Sequence, residues 1–231
     1  QQVAVPHEML MPIPKSWSYQ EAAALPEVFL TVFVNFYIEA ELQPGQTVLV
    51  HGGASGVGTA AIQMAQLTRN PIIVTASTDL KIERCIELGA SAAINYKKED
   101  FAERIKSYTD DEGVDVIMDT VGAAYLERNL RLLKPQGRLI SIGLLSGGRT
   151  EINLGTIMGK RLRIIGSVLR NRSLEEKVQI VRKFMKNFWP HVLQGNLRPV
   201  IGSVYPIKHA QAAQQYMTEN RNIGKIVLMV R

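Results

Sequence analysis

Apolar positions along the chain gather into short buried-type runs separated by stretches with helical periodicity. Residues 46–51, 71–76, 92–95, 114–118, 137–142 and 163–168 read as strands, rich in Val, Ile and Leu. Between them the spacing predicts helices over 59–68, 80–88, 100–108 and 123–133, and a long one over 174–193. Apolar strands alternating with helices require a parallel sheet covered on both faces and joined by right-handed crossovers. The expected fold class is α/β, a doubly wound parallel sheet of the Rossmann kind.

The two ends have a different texture. Gln2-Val3-Ala4-Val5 reads as a strand already under way, followed by a loop with Pro6, Pro12 and Pro14. Ser18 and Glu21 are spaced as a helix cap, the short helix they open stops at Pro26, and an apolar helix over 28–40 leads to the turn Pro44-Gly45. After Pro199 come a strand over 200–205, a helix over 209–217 and a last strand over 224–230. These pieces group with the first residues in a second domain. The expected division is 1–26, 27–198 and 199–231, and a chain that opens inside a strand without an initiator methionine points to an amino-terminal truncation.

The segment Gly52-Gly53-Ala54-Ser55-Gly56-Val57-Gly58 joins the first sheet strand directly to a helix. A pyrophosphate needs backbone N–H groups brought close without side chains in the way, together with the positive end of a helix dipole. Gly52, Gly56 and Gly58 just before a helix supply both. The spacing is not G-x-G-x-x-G, since Ser55 stands where the middle glycine of a related pattern would fall, but a serine hydroxyl can still donate to phosphate. Its ordinary alternative is a turn-forming hydroxyl bonded to its own backbone.

Cofactor choice is made at the tip of the second strand, roughly twenty residues further on, where NAD sites place a carboxylate for the ribose 2′-OH. Here the strand ends Thr75-Ala76-Ser77-Thr78. A carboxylate would repel a 2′-phosphate. Small Ser77 leaves room for that group, and Lys81 lies one turn beyond to pair with it, so NADP(H) is the expected cofactor. Asp79 dissents, and its plain reading is a cap or first-turn acid on the helix beginning near residue 80.

Cysteine and charge narrow the field. Cys85 is the one cysteine, so neither a disulfide framework nor a cysteine-based zinc site can form within the chain. It reads as a helix-face residue. His7, His51, His191 and His209 show no ligand spacing, and no metal is expected. A net charge of +6 suits an anionic ligand or a nucleic acid, but basic and acidic residues are interleaved, as in Lys97-Lys98-Glu99-Asp100. No apolar run approaches the about eighteen uninterrupted residues of a membrane span, and no signal peptide opens the chain, so a cytoplasmic protein without a membrane partner is expected.

Leu49 to Gln63, Leu88-Gly89-Ala90, Ile94-Asn95-Tyr96, Asp119-Thr120-Val121-Gly122 and Asn222 to Val227 resemble the medium-chain dehydrogenase/reductases, and among them the zinc-free, zeta-crystallin-like quinone oxidoreductases. The resemblance covers essentially the whole chain. It implies a Rossmann domain flanked by remnants of a GroES-like catalytic domain at both ends. It also implies an NADPH site built from Thr31 on the interdomain helix, Ser55, Gly56 and Val57 at the pyrophosphate, and Ser77, Lys81 and Tyr96 around the 2′-phosphate. Gly143 and Leu144 would run beside the cofactor, Ser167, Val168 and Leu169 would lie near the nicotinamide amide, and Asn222 and Lys225 would make a carboxy-terminal contact.

The implied reaction is hydride transfer from NADPH to a quinone or enone, with Ser55 at most an orienting or proton-relaying hydroxyl and the one catalytic candidate. A Ser–His–Asp reading of Ser55 and His51 fails for want of an acid. Two other classes stay open: an NADPH-binding structural or regulatory protein of the crystallin type, and an RNA-binding protein using the same nucleotide affinity. A homodimer is expected, with the strand over 163–168 continuing the sheet into a partner.

Overall fold

The computed structural model describes residues 3–230. Six strands, β1 (Val48–His51), β2 (Ile72–Ala76), β3 (Ala92–Asn95), β4 (Val114–Asp119), β5 (Leu133–Ser141) and β6 (Arg163–Gly166), form one sheet in the order β3-β2-β1-β4-β5-β6. Every neighbouring pair is parallel. The helices are α1 (Tyr19–Ala24), α2 (Pro26–Phe33), α3 (Gly56–Leu67), α4 (Asp79–Glu87), α5 (Phe101–Tyr108), α6 (Leu126–Leu132), α7 (Leu154–Lys160), α8 (Leu174–Asn187), α9 (Trp189–Leu193) and α10 (Ala210–Thr218). A separate parallel pair, β7 (Ile201–Pro206) with β8 (Lys225–Met229), completes the chain. The expected α/β doubly wound sheet is the fold observed.

Why the strands are apolar throughout is clear from where their side chains go. Val48, Val50, Ile72, Val74, Val116, Met118 and Ile140 enter one core with α2, α3 and α8, whereas Leu49, Ile73, Ile117 and Leu139 enter a second core with Phe101, Ile105 and Leu130. Alternate residues of each strand thus feed opposite faces, and both faces are dry.

Local chemistry sets the helix starts. Ser18 and Glu21 form a complete capping box on α1, the Ser18 N–H donating to Glu21 Oε2 at 2.9 Å and the Glu21 N–H to Ser18 Oγ at 3.2 Å. Pro26 occupies the first turn of α2, where its missing N–H costs nothing. Thr78 caps α4 and Asp100 caps α5, and Ser173 with Glu176 makes a second capping box on α8.

Several expectations needed correction. Val3, Ala4 and Val5 are not in a strand, because no neighbouring strand pairs with them among the described residues, and Gln2 lies outside those residues. The helix expected over 174–193 is broken at Phe188, where Pro190 enters the first turn of α9. The strand expected over 163–168 ends at Gly166, the helix over 123–133 is only Leu126–Leu132, and β5 starts at Leu133 through an irregular register against β4. Helix α7 was not expected: Leu154, Ile157 and Met158 follow helical spacing and Ile157 packs on the second core, but the segment is short and carries Gly155 and Gly159. The helical run Tyr19–Glu39, which ends in a π-helical stretch, is long and apolar enough to cross a membrane by length and composition, yet 56% of its most apolar 18-residue window is buried inside the fold.

Phe184 shows what holds α8 to α2. Its ring is fully buried, edge-on to Phe33 at 5.8 Å and stacked on Phe188 at 5.9 Å. Phe184→Ala is expected to lower stability by about 3–5 kcal/mol in urea unfolding; a loss below about 1 kcal/mol would mean that the layer closes over the gap.

Candidate functional site

The chain crosses from β3 on one side of the sheet to β4 on the other, so β1 and β4 are neighbours whose following segments diverge. The crevice beyond their carboxyl ends is where open α/β sheets bind ligands. The glycine turn fills one side of it. Gly52 has φ +79°, a left-handed conformation that side chains disfavour. A Cβ on Gly58 would sit 2.3 Å from the Gly52 carbonyl oxygen and 2.4 Å from that of Gly53. Only glycine at these two points lets the chain reverse from β1 into α3.

Ser55 is the N-cap of α3, its Oγ accepting from the Gly58 N–H at 3.0 Å. That leaves the Val57 amide without an acceptor among the described residues, while the Gly56 amide faces the Gly224 carbonyl across the Ser55–Gly224 bridge. A free first-turn amide at the positive end of a helix suits an anion. Thr31 lies one turn along α2 from Val28, whose Cγ1 is 3.0 Å from where a Cβ on Gly56 would stand.

The carboxy-terminal segment closes over the same turn. Gly224 donates to the Ala54 carbonyl at 2.7 Å and pairs with Ser55 as an isolated parallel bridge. Asn222 donates its side-chain N–H to the Gly224 carbonyl at 3.0 Å. Lys225 runs across Gly56 and its ammonium meets Glu27 Oε2 at 2.9 Å.

A second cluster stands at the tips of β2 and β3. Lys81 is 5% exposed, and its Nζ donates to the carbonyl and Oδ1 of Asn220 at 2.6 and 2.7 Å. The Asn220 amide donates in turn to Ser77 Oγ at 3.3 Å and reaches the Tyr96 hydroxyl at 3.5 Å. Burial, and then the nearby Lys97 charge, hold the Lys81 ammonium below its usual range. Asp79 turns its carboxylate to Asn95 at 2.9 Å and Lys98 at 2.5 Å. It sits in the first turn of α4 while Thr78 is the cap.

The remaining candidates lie at the same edge of the sheet but farther along it. The loop after β5 carries Gly143 and Leu144 and is fastened to the loop after β4, with Leu145 donating to the Thr120 carbonyl and Ser146 to that of Val121. Beyond β6, the Ser167 N–H donates to the Ser141 carbonyl at 3.0 Å, Val168 is exposed and Leu169 is half-buried. Neither group hydrogen-bonds to the glycine turn among the described residues. Asn220, which links Ser77, Lys81 and Tyr96, was not anticipated. A lysine buried by its helix needs a partner, but nothing local in the sequence says which residue provides it.

His51, next to the turn, is fully enclosed between Thr75 Oγ1 at 3.1 Å and Asn129 Oδ1 at 2.8 Å, with Phe101 and Tyr125 edge-on to its ring. Since Asn129 Oδ1 only accepts, the neutral ring donates from Nε2 and Nδ1 accepts from Thr75. Burial pushes its pKa below the ordinary imidazole value. It has no hydrogen bond to Ser55 and braces the end of β1. Burial also pushes the Cys85 thiol up to about 12, which agrees with its helix-face reading.

The site thus has the form of a Rossmann nucleotide-binding edge. The family described as zinc-binding dehydrogenase matches residues 56–187, more than half of the chain, and the chain belongs to it. Its relatives include the human synaptic vesicle membrane protein VAT-1 homolog, 30% identical over 99% of this chain and 62% of that protein, and the quinone oxidoreductase of Rattus norvegicus, 31% identical over 95% of this chain and 65% of that protein. The chain therefore spans less than two thirds of the length of these relatives. The crystal structure of Escherichia coli quinone oxidoreductase complexed with NADPH superposes with a TM-score of 0.85 at 29% identity, covering 94% of this chain and 67% of that one. These neighbours agree with the zeta-crystallin-like medium-chain reductases that the motifs resemble.

The family description names zinc, but among the described residues no three His, Cys, Asp or Glu side chains gather where they could hold a metal ion. The described residues do not fit a zinc site.

His51 gives a pH signature. Its folded pKa lies below the unfolded value of about 6.5, so the unfolded chain binds a proton that the folded chain refuses, and stability falls as pH drops below that value. Urea midpoints measured from pH 7.5 down to 5.5 are expected to fall less steeply in His51→Gln than in the unaltered chain. Parallel slopes would rule His51 out as the source.

Proposed function

We propose that this chain forms the NADPH-binding part of a reductase that passes hydride to a quinone or a similar electron-poor conjugated carbonyl. The observation that carries the reading is the free Val57 amide at the amino end of α3, set at the β1–β4 crevice, together with the buried Lys81 ammonium on α4 beyond the tip of β2. In this reading the Val57 amide donates to the pyrophosphate, with Gly56 beside it. The Ser55 hydroxyl already accepts from Gly58 and still has its own proton to donate, so it orients the phosphate. Ser77, Lys81 and Tyr96 hold the adenosine 2′-phosphate. The turn of Asp79 toward Lys98 and Asn95, and the lack of a carboxylate at the tip of β2, favour NADP(H) over NAD(H).

When bound, NADPH supplies a hydride from its nicotinamide C4. Thr31, Gly143, Leu144 and the segment Ser167 to Leu169 line the way toward that end, with Asn222 and Lys225 closing over the middle. Their part is to orient and to keep water out, while solvent or a nearby hydroxyl gives the proton that completes the reduction. Residues 27–198 form the nucleotide-binding domain, and 1–26 and 199–231 belong to a GroES-like catalytic domain. The reading includes a cytoplasmic protein that dimerises through the exposed edge of β6. The similarity to quinone oxidoreductases supports the substrate class.

Titrating NADPH and NADH separately by calorimetry tests this. Lys81→Ala removes a charged hydrogen-bond donor, a change of about 1.5–3 kcal/mol, and is expected to weaken NADPH about tenfold or more while NADH binding changes little. Equal effects on both nucleotides would sink the assignment of Lys81, and no binding of either would sink the reading.

A further inference from the structure

We propose that Asn220 is a competitor built into the nucleotide site: its amide occupies the seat of the adenosine 2′-phosphate and sets how strongly the chain prefers a phosphorylated nucleotide. This inference rests on the dinucleotide reading above. Both hydrogen bonds of the buried Lys81 ammonium go to Asn220, one to its carbonyl at 2.6 Å and one to Oδ1 at 2.7 Å. The same amide reaches Ser77 and Tyr96 through Nδ2. One head group therefore engages all three side chains assigned to the phosphate.

The position suits an occupant that can leave. Asn220 follows α10 in an exposed turn with φ +53°, a left-handed conformation that asparagine tolerates. The backbone just beyond it is pinned separately, by Gly224 donating to the Ala54 carbonyl, so the side chain can swing away while the turn stays. No carboxylate competes for the ammonium, since Asp79 is held by Asn95 and Lys98, and Lys97 adds positive potential. A phosphate oxygen is a stronger partner for an ammonium than a neutral amide oxygen. The exchange is therefore favourable for a 2′-phosphate, whereas an unphosphorylated ribose gains little by displacing the amide. Asn220 lowers the preference for the phosphorylated nucleotide from what Lys81, Ser77 and Tyr96 alone would give, while keeping the buried ammonium paired in the free protein.

The test is calorimetric binding of 2′,5′-ADP and of 5′-ADP to the whole chain and to its Asn220→Gly and Asn220→Asp variants, with thermal unfolding to establish that each is folded. Glycine keeps the left-handed turn and removes the amide; aspartate places a fixed negative charge on Lys81. The ratio of affinities, 2′,5′-ADP over 5′-ADP, is expected to rise about tenfold in Asn220→Gly and to fall about tenfold or more in Asn220→Asp. An unchanged ratio in Asn220→Gly would overturn the proposal, and a lowered one would make Asn220 a ligand of the phosphate instead. If all three proteins bind both nucleotides equally, the Asn220 inference fails and a dinucleotide site without NADP preference remains. If none binds either nucleotide, both readings fail together.

Discussion

The reversal of the chain between β1 and α3 is the constraint on which the rest of the site depends. The backbone must turn within the few residues from Gly52 to Gly58, and the Gly58 Cα comes so close to the Gly52 and Gly53 carbonyls that any side chain would collide with them. That closeness aims the amino end of α3 at the β1–β4 crevice and leaves the Val57 amide unspent. It also presents the Ala54 carbonyl to Gly224, which brings β8 alongside. His51 and its partners Thr75 and Asn129 brace the strand end from beneath. A looser turn would have lost the anion seat and the docking edge together.

Electrostatics then separates two lysines that the sequence presents alike. Lys225 pairs with Glu27, which is largely exposed, and a pair of this kind contributes about 0–1 kcal/mol. Lys81 is buried, where an unpaired ammonium would be costly, so its two short hydrogen bonds to Asn220 are a requirement of the fold. The demand that makes Lys81 a good receptor for an anion is the one that gives it an internal partner when no anion is present.

Much of this was legible in the residues. The strands of the large sheet are continuous apolar runs because both faces are covered, and such runs are visible without any partner. Ser18 with Glu21 announced a helix start, and the glycines announced a strand-to-helix turn. What escaped notice depends on tertiary context. Helix α7 carries only three apolar residues at helical spacing, interrupted by Gly155 and Gly159, and just Ile157 packs on the core. Val3 to Val5 have strand-forming side chains but no strand to pair with among the described residues. The break at Phe188 was legible in Pro190, which cannot continue a helix, although the apolar spacing runs on past it. Ser55 was read as facing phosphate or bonding its own turn, and its oxygen proves to cap α3. Asn220 was hidden for another reason: it meets Lys81 across 139 positions of sequence, from a turn with no motif of its own.

That separation has a physical consequence for how the molecule holds its last segment. The turn after α10 and the start of β8 meet the sheet through the Gly224 to Ala54 bond, the Asn220 bonds to Lys81, Ser77 and Tyr96, and the Lys225 to Glu27 pair, with Ile223 packed on the core. The first two are short-range and shielded, while the third is screened by salt. The seam is therefore set by hydrogen bonding and by the packing of Ile223 more than by surface charge. Because the seam borders both halves of the proposed nucleotide site, its opening and the filling of the site draw on the same atoms. A ligand that binds the closed form shifts that balance by mass action, through the same residues that hold the seam in its absence.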